Sequence, residues 1–543
     1  MSRLSGALPR RLLCLLLAAG ALATSLPALS EESCYGSLGR FPFQYRGMPM
    51  MPAVDGEIDG KPAVILVDTG AHGSMLTMTG AMRRDLPLKL SPRQIVGVGG
   101  QSNQYTTRIS NFAVGKVGSA AMSIDVIGQT GVPIAYDAII GVDFLLQADL
   151  EVDFSNRQLR LLKPMSCGPN EHLAYWDRNA SVLPALPNYS GMNAFPHFIV
   201  ELNGVRMNAI IDTGASSTVV IDTAARRAGV FPHSPGVKLV GAAGGWGQKR
   251  GRAWVARFDD IRIGKELLVG PTLNIQEVPK ESRGNWDILL GNDFLRAYRV
   301  LFATSQKRIY LSRIGIPFPP RQGSADAWVA QEAAGGNPDA HLTMARYAGD
   351  ANDAEGSLRW TRSAAGLGQP LAQRLIGARA WREGRAAEAV AALEPSVAKM
   401  PADIDAQIEL YLALLKAGKA DQASQQLNKA APLFRHDPWA QRMLGYMQGT
   451  NSLDQVLTTT INGSMMVDRM CPALDYDRWL RQIKPGLPPV SDQANKIWAL
   501  CPVLSKFGLS PLTHYDPPAI APPAAEQPAA AEPAAAAKEK TDD

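Results

Sequence analysis

Asp-Thr-Gly occurs twice in this chain, at Asp68-Thr69-Gly70 and Asp212-Thr213-Gly214, and each copy follows a short apolar run and precedes an alanine. At ordinary composition the tripeptide arises by chance about 0.1 times in a chain of this length, so two copies in matching surroundings point to a duplicated unit. The surroundings do match. Asp59-Gly60 and Asn203-Gly204 stand at the same distance before the two aspartates, and both are favoured type I′ hairpin dipeptides. Ile65-Leu66-Val67 and Ala209-Ile210-Ile211 read as buried strands running into the motif. Glycine-rich segments follow at Gly97-Val98-Gly99-Gly100 and at Gly241-Ala242-Ala243-Gly244-Gly245. A last echo closes each unit: Ile139-Ile140-Gly141-Val142-Asp143-Phe144-Leu145 and Leu289-Leu290-Gly291-Asn292-Asp293-Phe294-Leu295, with glycines 73 and 79 residues after the respective aspartates. The order strand, D-T-G-A, glycine-rich hairpin, apolar pair plus glycine is thus present twice.

Over roughly Met48 to Ile314 this arrangement resembles the retropepsin-like aspartic proteases, specifically those whose two half-barrels are fused in one chain in the manner of pepsin. The resemblance implies a closed, all-β, duplicated barrel with a pseudo-twofold axis, in which each lobe supplies one aspartate on a tight turn. It implies that Asp68 and Asp212 are catalytic, and that Thr69 and Thr213 hydrogen-bond across the axis to lock the turns. Gly70 and Gly214 would permit a sharp backbone that a Cβ would obstruct. The glycine-rich segments would be hairpin flaps over a cleft, with Val98, Gly99 and Gly100 from one lobe and Gly244, Gly245 and Trp246 from the other facing substrate. The second flap departs from the first in carrying Trp246 and the basic Lys249 and Arg250.

Two aspartates about 3 Å apart cannot both ionise, so such a pair shares one proton and titrates as a unit, which supplies a general base and a general acid together. Which aspartate holds the proton is not readable from sequence. Pepsin-type sites follow D-T-G with Ser or Thr, whose hydroxyl favours the ionised carboxylate. Ala71 and Ala215 cannot donate, which predicts a working pH nearer weakly acidic than strongly acidic. Asp143 and Asp293 read as turn or helix-cap residues, and His72 as a solvated neighbour of the first motif.

The opening reads as a signal peptide over residues 1–30: Arg3, Arg10 and Arg11 are basic, Leu12 to Ala23 form a short apolar run, and Ala21-Leu22-Ala23 or Ala28-Leu29-Ser30 offer cleavage sites. Its removal leaves 52 basic and 50 acidic residues, a net charge of +2 that carries no signature of nucleic-acid binding. Cys34, Cys167, Cys471 and Cys501 then remain, an even count suited to an oxidising compartment. The pairings Cys34 with Cys167 and Cys471 with Cys501 are favoured among the three possible, since each pair brackets one segment. The histidines show no ligand spacing with the cysteines, so neither a metal nor another cofactor is expected.

After Pro317-Phe318-Pro319-Pro320 the composition turns Ala-, Leu- and Gln-rich with helical spacing. Gly384, Ala389 and Leu393 recur as Gly418, Ala423 and Leu427, with a fainter copy at Gly349, Ala354 and Leu358. Together with Gly377 and Pro401 these positions resemble tetratricopeptide repeats over about residues 336 to 450.

The sequence therefore predicts a multidomain chain with seven parts: a signal peptide at 1–30, a first protease lobe at 31–170, a second at 171–316, a linker at 317–335, helical repeats at 336–450, a closing helix and loop segment at 451–515, and a disordered Pro/Ala-rich tail at 516–543. The expected function is an exported aspartic endopeptidase, in a bacterial periplasm or alternatively secreted or anchored by an uncleaved N-terminal segment, acting on peptide or protein substrates as a monomer, with a protein partner for the repeats and no membrane span beyond the signal segment. The alternative is a catalytically silent peptide-binding scaffold acting through the repeats.

Overall fold

The computed structural model describes residues 34–128, 136–186, 196–247, 251–315, 318, 324–435, 437–461 and 466–506. The expected signal segment, the Pro/Ala-rich tail, and Lys249 and Arg250 lie outside the described residues.

Each D-T-G follows from one local plan. In the first lobe the strands Met51–Ile58 and Lys61–Val67 form a hairpin, and its turn residues Asp59 and Gly60 have φ of 52° and 72°. In the second, Phe198–Leu202 and Val205–Ile211 do the same around Asn203 and Gly204, with φ of 49° and 71°. Positive φ at both central positions is the type I′ turn, whose twist matches that of the paired strands. The strand leaving each hairpin then acquires a parallel partner: Ala138–Ile140 beside Ile65–Val67, and Ile288–Leu290 beside Ala209–Ile211. An antiparallel strand, Met75–Thr77 or Val219–Ile221, covers the other side of that partner. Both central strands are buried on both faces, which explains their continuous apolar sequence.

The lobes are joined by strand pairing. Asp149–Asp153 of the first pairs antiparallel with Tyr298–Ala303 of the second, in the register Leu150↔Phe302, Glu151↔Leu301 and Val152↔Val300. This places strands of both lobes in one sheet, and Leu150, Val152, Val300 and Phe302 merge the two cores. On the opposite face the alternating acids of the same strand are buried and neutralised: Glu151 pairs with Arg299 and Arg160, and Asp149 accepts hydrogen bonds from Tyr35, Thr304 and Ser305.

A helical region follows this β-rich half, as expected. Its elements are capped as their sequences dictate: Asn337, Asp353, Asp403 and Asp437 each accept a backbone N–H in the first turn of the helix they precede. Gly384 and Gly418, with φ of 80° and 74°, end helices Pro370–Arg382 and Ile404–Lys416. Ala389, Leu393, Ala423 and Leu427 are fully buried between paired helices, and a Cβ on Gly377 would lie 2.6 Å from Leu393 Cγ. The faint third copy is not in register. Gly349 lies inside helix Pro338–Asp350, and the left-handed turn residue there is Asn352, φ 60°, a position that asparagine tolerates as glycine does.

The stretch expected as a linker is corrected as well. Helix Ser324–Ala334 occupies most of it, because Val329 and Ala333 bury into the barrel core and Trp328 stands edge-on to Tyr45 at 4.7 Å beneath Arg296. The next helix fixes the barrel again through Asn337 Nδ2 donating to Tyr45 O (3.0 Å) and Thr343 Oγ1 to Met48 O (2.8 Å).

Disulfides join Cys34 to Cys167, at the base of the first lobe, and Cys471 to Cys501, between the last two described helices. Two such bridges fit an oxidising, exported environment. Among the described residues no helix is long and apolar enough to cross a membrane.

Candidate active site

The two D-T-G turns meet where the lobes face each other. Each turn begins as its strand ends: Asp68 N donates to Ile140 O (3.0 Å) and Asp212 N to Leu290 O (2.9 Å), the last ladder bonds before the chain reverses. Gly70 N then donates to Asp68 Oδ1 (2.9 Å) and Gly214 N to Asp212 Oδ1 (2.7 Å), fixing each carboxylate by its own turn.

Thr69 and Thr213 tie the turns together. Thr69 N donates to Thr213 Oγ1 (2.9 Å) and Thr213 N to Thr69 Oγ1 (3.0 Å). Each hydroxyl passes its proton on to the strand of the other lobe, Thr69 Oγ1 to Ile211 O and Thr213 Oγ1 to Val67 O, both at 2.8 Å. Both threonines are buried, so four polar groups are satisfied only by this reciprocal set.

The reason for the glycines differs from the expected one. Neither has the positive φ that would demand glycine. A Cβ on Gly70 would instead lie 2.4 Å from Asp212 Cγ, and one on Gly214 would lie 2.3 Å from Asp68 Cγ. Each glycine is the surface on which the opposite carboxyl rests, and the missing side chain is what lets the two acids approach.

Asp68 and Asp212 are buried and share a hydrogen bond. Burial raises the pKa of both. Asp212 is pushed well above the ordinary carboxylate range, because burial is joined by the charge of Asp68 and by their mutual hydrogen bond. Asp68 is raised by burial and drawn back by hydrogen bonds from Asp212, from the Gly70 and Ala71 amides and from the side chain of Trp246. Two acids this close, both raised, titrate as a coupled pair.

Sequence reasoning missed the supports behind the turns. Asp137 accepts from Val64 N (2.9 Å) and pairs with Arg84 at 2.9 Å and Arg83 at 3.0 Å. Asp287 accepts from Asn208 N (2.9 Å) and pairs with Arg227. Both aspartates stand four residues before the closing glycine, in Asp137-Ala138-Ile139-Ile140-Gly141 and Asp287-Ile288-Leu289-Leu290-Gly291, so extending the repeat by two residues would have found them. Asp143 and Asp293 sit in the first turn of short helices whose N-caps are Gly141 and Gly291, so they are braces more than caps. Asp143 accepts from the backbone N–H and hydroxyl of Ser74, and Asp293 from those of Thr218. His72 is exposed beside the first turn.

The glycine-rich segments are hairpins at the edges of their sheets, Lys89–Gly97 with Gly100–Ile109 and Lys238–Ala243 with Gly251–Arg257. Their tips interlock. Gly99 N donates to Trp246 O (2.9 Å), and a Cβ on Gly97 would lie 2.1 Å from that oxygen. A Cβ on Gly245 would lie 3.1 Å from Val98 Cβ, and one on Gly247 would lie 2.3 Å from the Gly99 carbonyl carbon. Gly100 pairs with Gly97 at the base of the first tip, while Gly244 is exposed. Trp246 turns its ring inward, against an apolar cluster of the first lobe that includes Met51, Leu66 and Ile139. Cys34, Cys167, Cys471 and Cys501 belong to the two disulfides and take no part in this cleft.

Residues 54–144 match the family described as aspartyl protease, and residues 199–297 match that of gag-polyprotein aspartyl protease, so each match covers one D-T-G lobe. Residues 380–445 match the tetratricopeptide repeat. A comparison with curated proteins returns no match. The chain therefore carries two retropepsin-like aspartyl protease units followed by tetratricopeptide repeats.

Proposed function

We propose that this chain is an aspartic endopeptidase whose catalytic pair is Asp68 from one lobe and Asp212 from the other. The observation that carries the reading is the mutual approach of two buried carboxyls, each resting on the glycine of the opposite turn and sharing a hydrogen bond. Ionised Asp68 takes a proton from a water held between the carboxyls, and the resulting hydroxide attacks the peptide carbonyl carbon. Protonated Asp212 gives its proton to the carbonyl oxygen, which yields a neutral tetrahedral diol. Collapse of the diol breaks the C–N bond, with the proton on Asp68 passing to the departing amine and a diol hydroxyl proton returning to Asp212. The tying of Thr69 to Thr213 serves this chemistry by holding both acids in one geometry before substrate arrives.

The interlocked tips of Val98-Gly99-Gly100 and Gly244-Gly245-Trp246 act as flaps that open for substrate and close over it. The helical repeats bind a protein, as substrate carrier or as partner, and the two disulfides support an exported setting such as a bacterial periplasm for this work.

A silent peptide-binding barrel is the competing reading, and the observation that favours it is the ring of Trp246 packed on the first lobe beside Ala71, which follows the first D-T-G. Cleavage of a peptide library by the mature protein across roughly pH 3 to 8, beside Asp68→Asn and Asp212→Asn, separates the two. Cleavage by the wild type that disappears in both variants supports the endopeptidase. A folded wild type that binds peptides and cuts none supports the scaffold.

A further inference from the structure

Trp246 belongs to the second lobe but makes its contacts in the first. Its ring packs on the cluster of Met51, Ala53, Leu66, Tyr136 and Ile139, beside Ala71, which directly follows the first D-T-G. Its side chain reaches the Asp68 carboxyl as a hydrogen-bond partner, and an indole nitrogen can only donate. Leu66 and Ile139 are neighbours in the paired strands that end at Asp68, so this apolar surface is continuous with the catalytic turn.

The position is tied to the first hairpin by a backbone bond, Gly99 N to Trp246 O at 2.9 Å. The segment carrying the ring is rich in glycine. Gly244, Gly245 and Gly247 surround it, and Gly247 has φ of 129°, a conformation reserved for glycine. An ordinary core tryptophan would sit between regular elements. This one sits on a glycine-rich tip and places its polar atom on an acid that must be reached by water and a peptide carbonyl.

We propose that Trp246 is a built-in occupant of the substrate cleft: its ring fills the apolar subsite beside Asp68 in the resting protein, and a peptide must displace it before a scissile bond can approach the two carboxyls. This rests on the endopeptidase reading for its chemistry but not for its geometry. The subsite vacated is apolar and fits an indole, so the peptide side chain that replaces Trp246 is large and apolar, with aromatic residues preferred. The displacement lowers apparent affinity by the fraction of molecules in which the ring is already out. The same contact sets the charge of the pair. An N–H aimed at Asp68 stabilises its anion, so removing the donor moves the acidic limb of kcat/KM to higher pH.

The test uses the full mature chain with Trp246→Ala and Trp246→Phe. One readout is calorimetric binding of an uncleavable peptide that bears a hydroxymethylene in place of the scissile bond; the other is cleavage of the parent peptide. Trp246→Ala is expected to bind the isostere about tenfold more tightly than wild type, from loss of a hydrogen bond to a charged group and of the ring's packing. Trp246→Phe keeps most of the packing and loses the donor, so it shifts in the same direction by less and carries the raised acidic limb. If Trp246→Ala does not fold, the isostere affinity of Trp246→Phe decides alone. Unchanged or weaker binding in the folded variants overturns the proposal, whatever the wild type cleaves. Tighter binding with no cleavage by any form upholds the occupant and removes the endopeptidase.

Discussion

The two lobes repeat each other bond for bond around the D-T-G turns and diverge away from them. Each aspartate is fixed by its own glycine amide, each threonine donates to the facing strand, and each brace acid accepts from the Ser or Thr that opens the next strand. Beyond that shared set the lobes take different parts. The first contributes a long glycine-tipped hairpin and a buried ion pair, Arg84 with Asp137, in which both side chains are 4% exposed. The second contributes a short, glycine-rich tip that delivers Trp246, and its matching pair, Arg227 with Asp287, is 48% and 16% exposed. Duplication has kept the set of bonds around the two acids symmetric and has let the rest of each lobe diverge.

The largest effect is expected at the point of symmetry. Asp68→Asn and Asp212→Asn should each lower kcat/KM by about 10⁴-fold or more, and the double variant should be hardly worse than either, because residues that act as a unit are not additive. Residual activity in one single variant well above the other would mean that one lobe suffices. Stability next exposes the asymmetry. Asp137→Ala should cost about 3–5 kcal/mol in urea unfolding because it strands a buried guanidinium, whereas Asp287→Ala should cost about 1 kcal/mol. Equal losses would show that the second pair is as enclosed as the first.

Thr69→Ala and Thr213→Ala should each cost about 1–3 kcal/mol, equally, with the double variant well short of the sum because the bonds are reciprocal. The smallest effect concerns pH. With both carboxyls raised by burial and no hydroxyl at Ala71 or Ala215, the acidic limb of kcat/KM should lie in the weakly acidic range. Placing a donor with Ala71→Ser or Ala215→Ser should stabilise the ionised form and move that limb down. A wild-type optimum below about pH 3 would contradict the premise.

Most of the site was legible in the sequence because it is written in short contiguous motifs. Asp-Thr-Gly, the Asp59-Gly60 and Asn203-Gly204 turns and the closing Gly141 and Gly291 each fix local geometry that tertiary context does not override. The cysteine pairing was legible because few combinations existed. What was not legible is non-local. The pairing of Asp149–Asp153 with Tyr298–Ala303 joins strands that look like any other amphipathic strands, and nothing local names the partner. Helix Ser324–Ala334 looked like a linker because its small residues give little amphipathic contrast, while its attachment depends on Trp328 finding Tyr45 and Arg296. Trp246 stands in sequence on the second glycine-rich tip, and its packing on the other lobe follows only from the fold. The faint repeat copy failed because Asn352 served where glycine was sought.

One measurement bears most directly on the claim that the lobes hold a single shared proton: a carbon-13 titration of the aspartate carboxyls, with the two resonances assigned through Asp68→Asn and Asp212→Asn. The expected result is a coupled pair in which the Asp212 carboxyl keeps its proton to higher pH than Asp68, and in which removal of either partner returns the other toward a single ordinary step. Two independent transitions near the usual aspartate pKa of about 3.9, unaffected by loss of the partner, would contradict it.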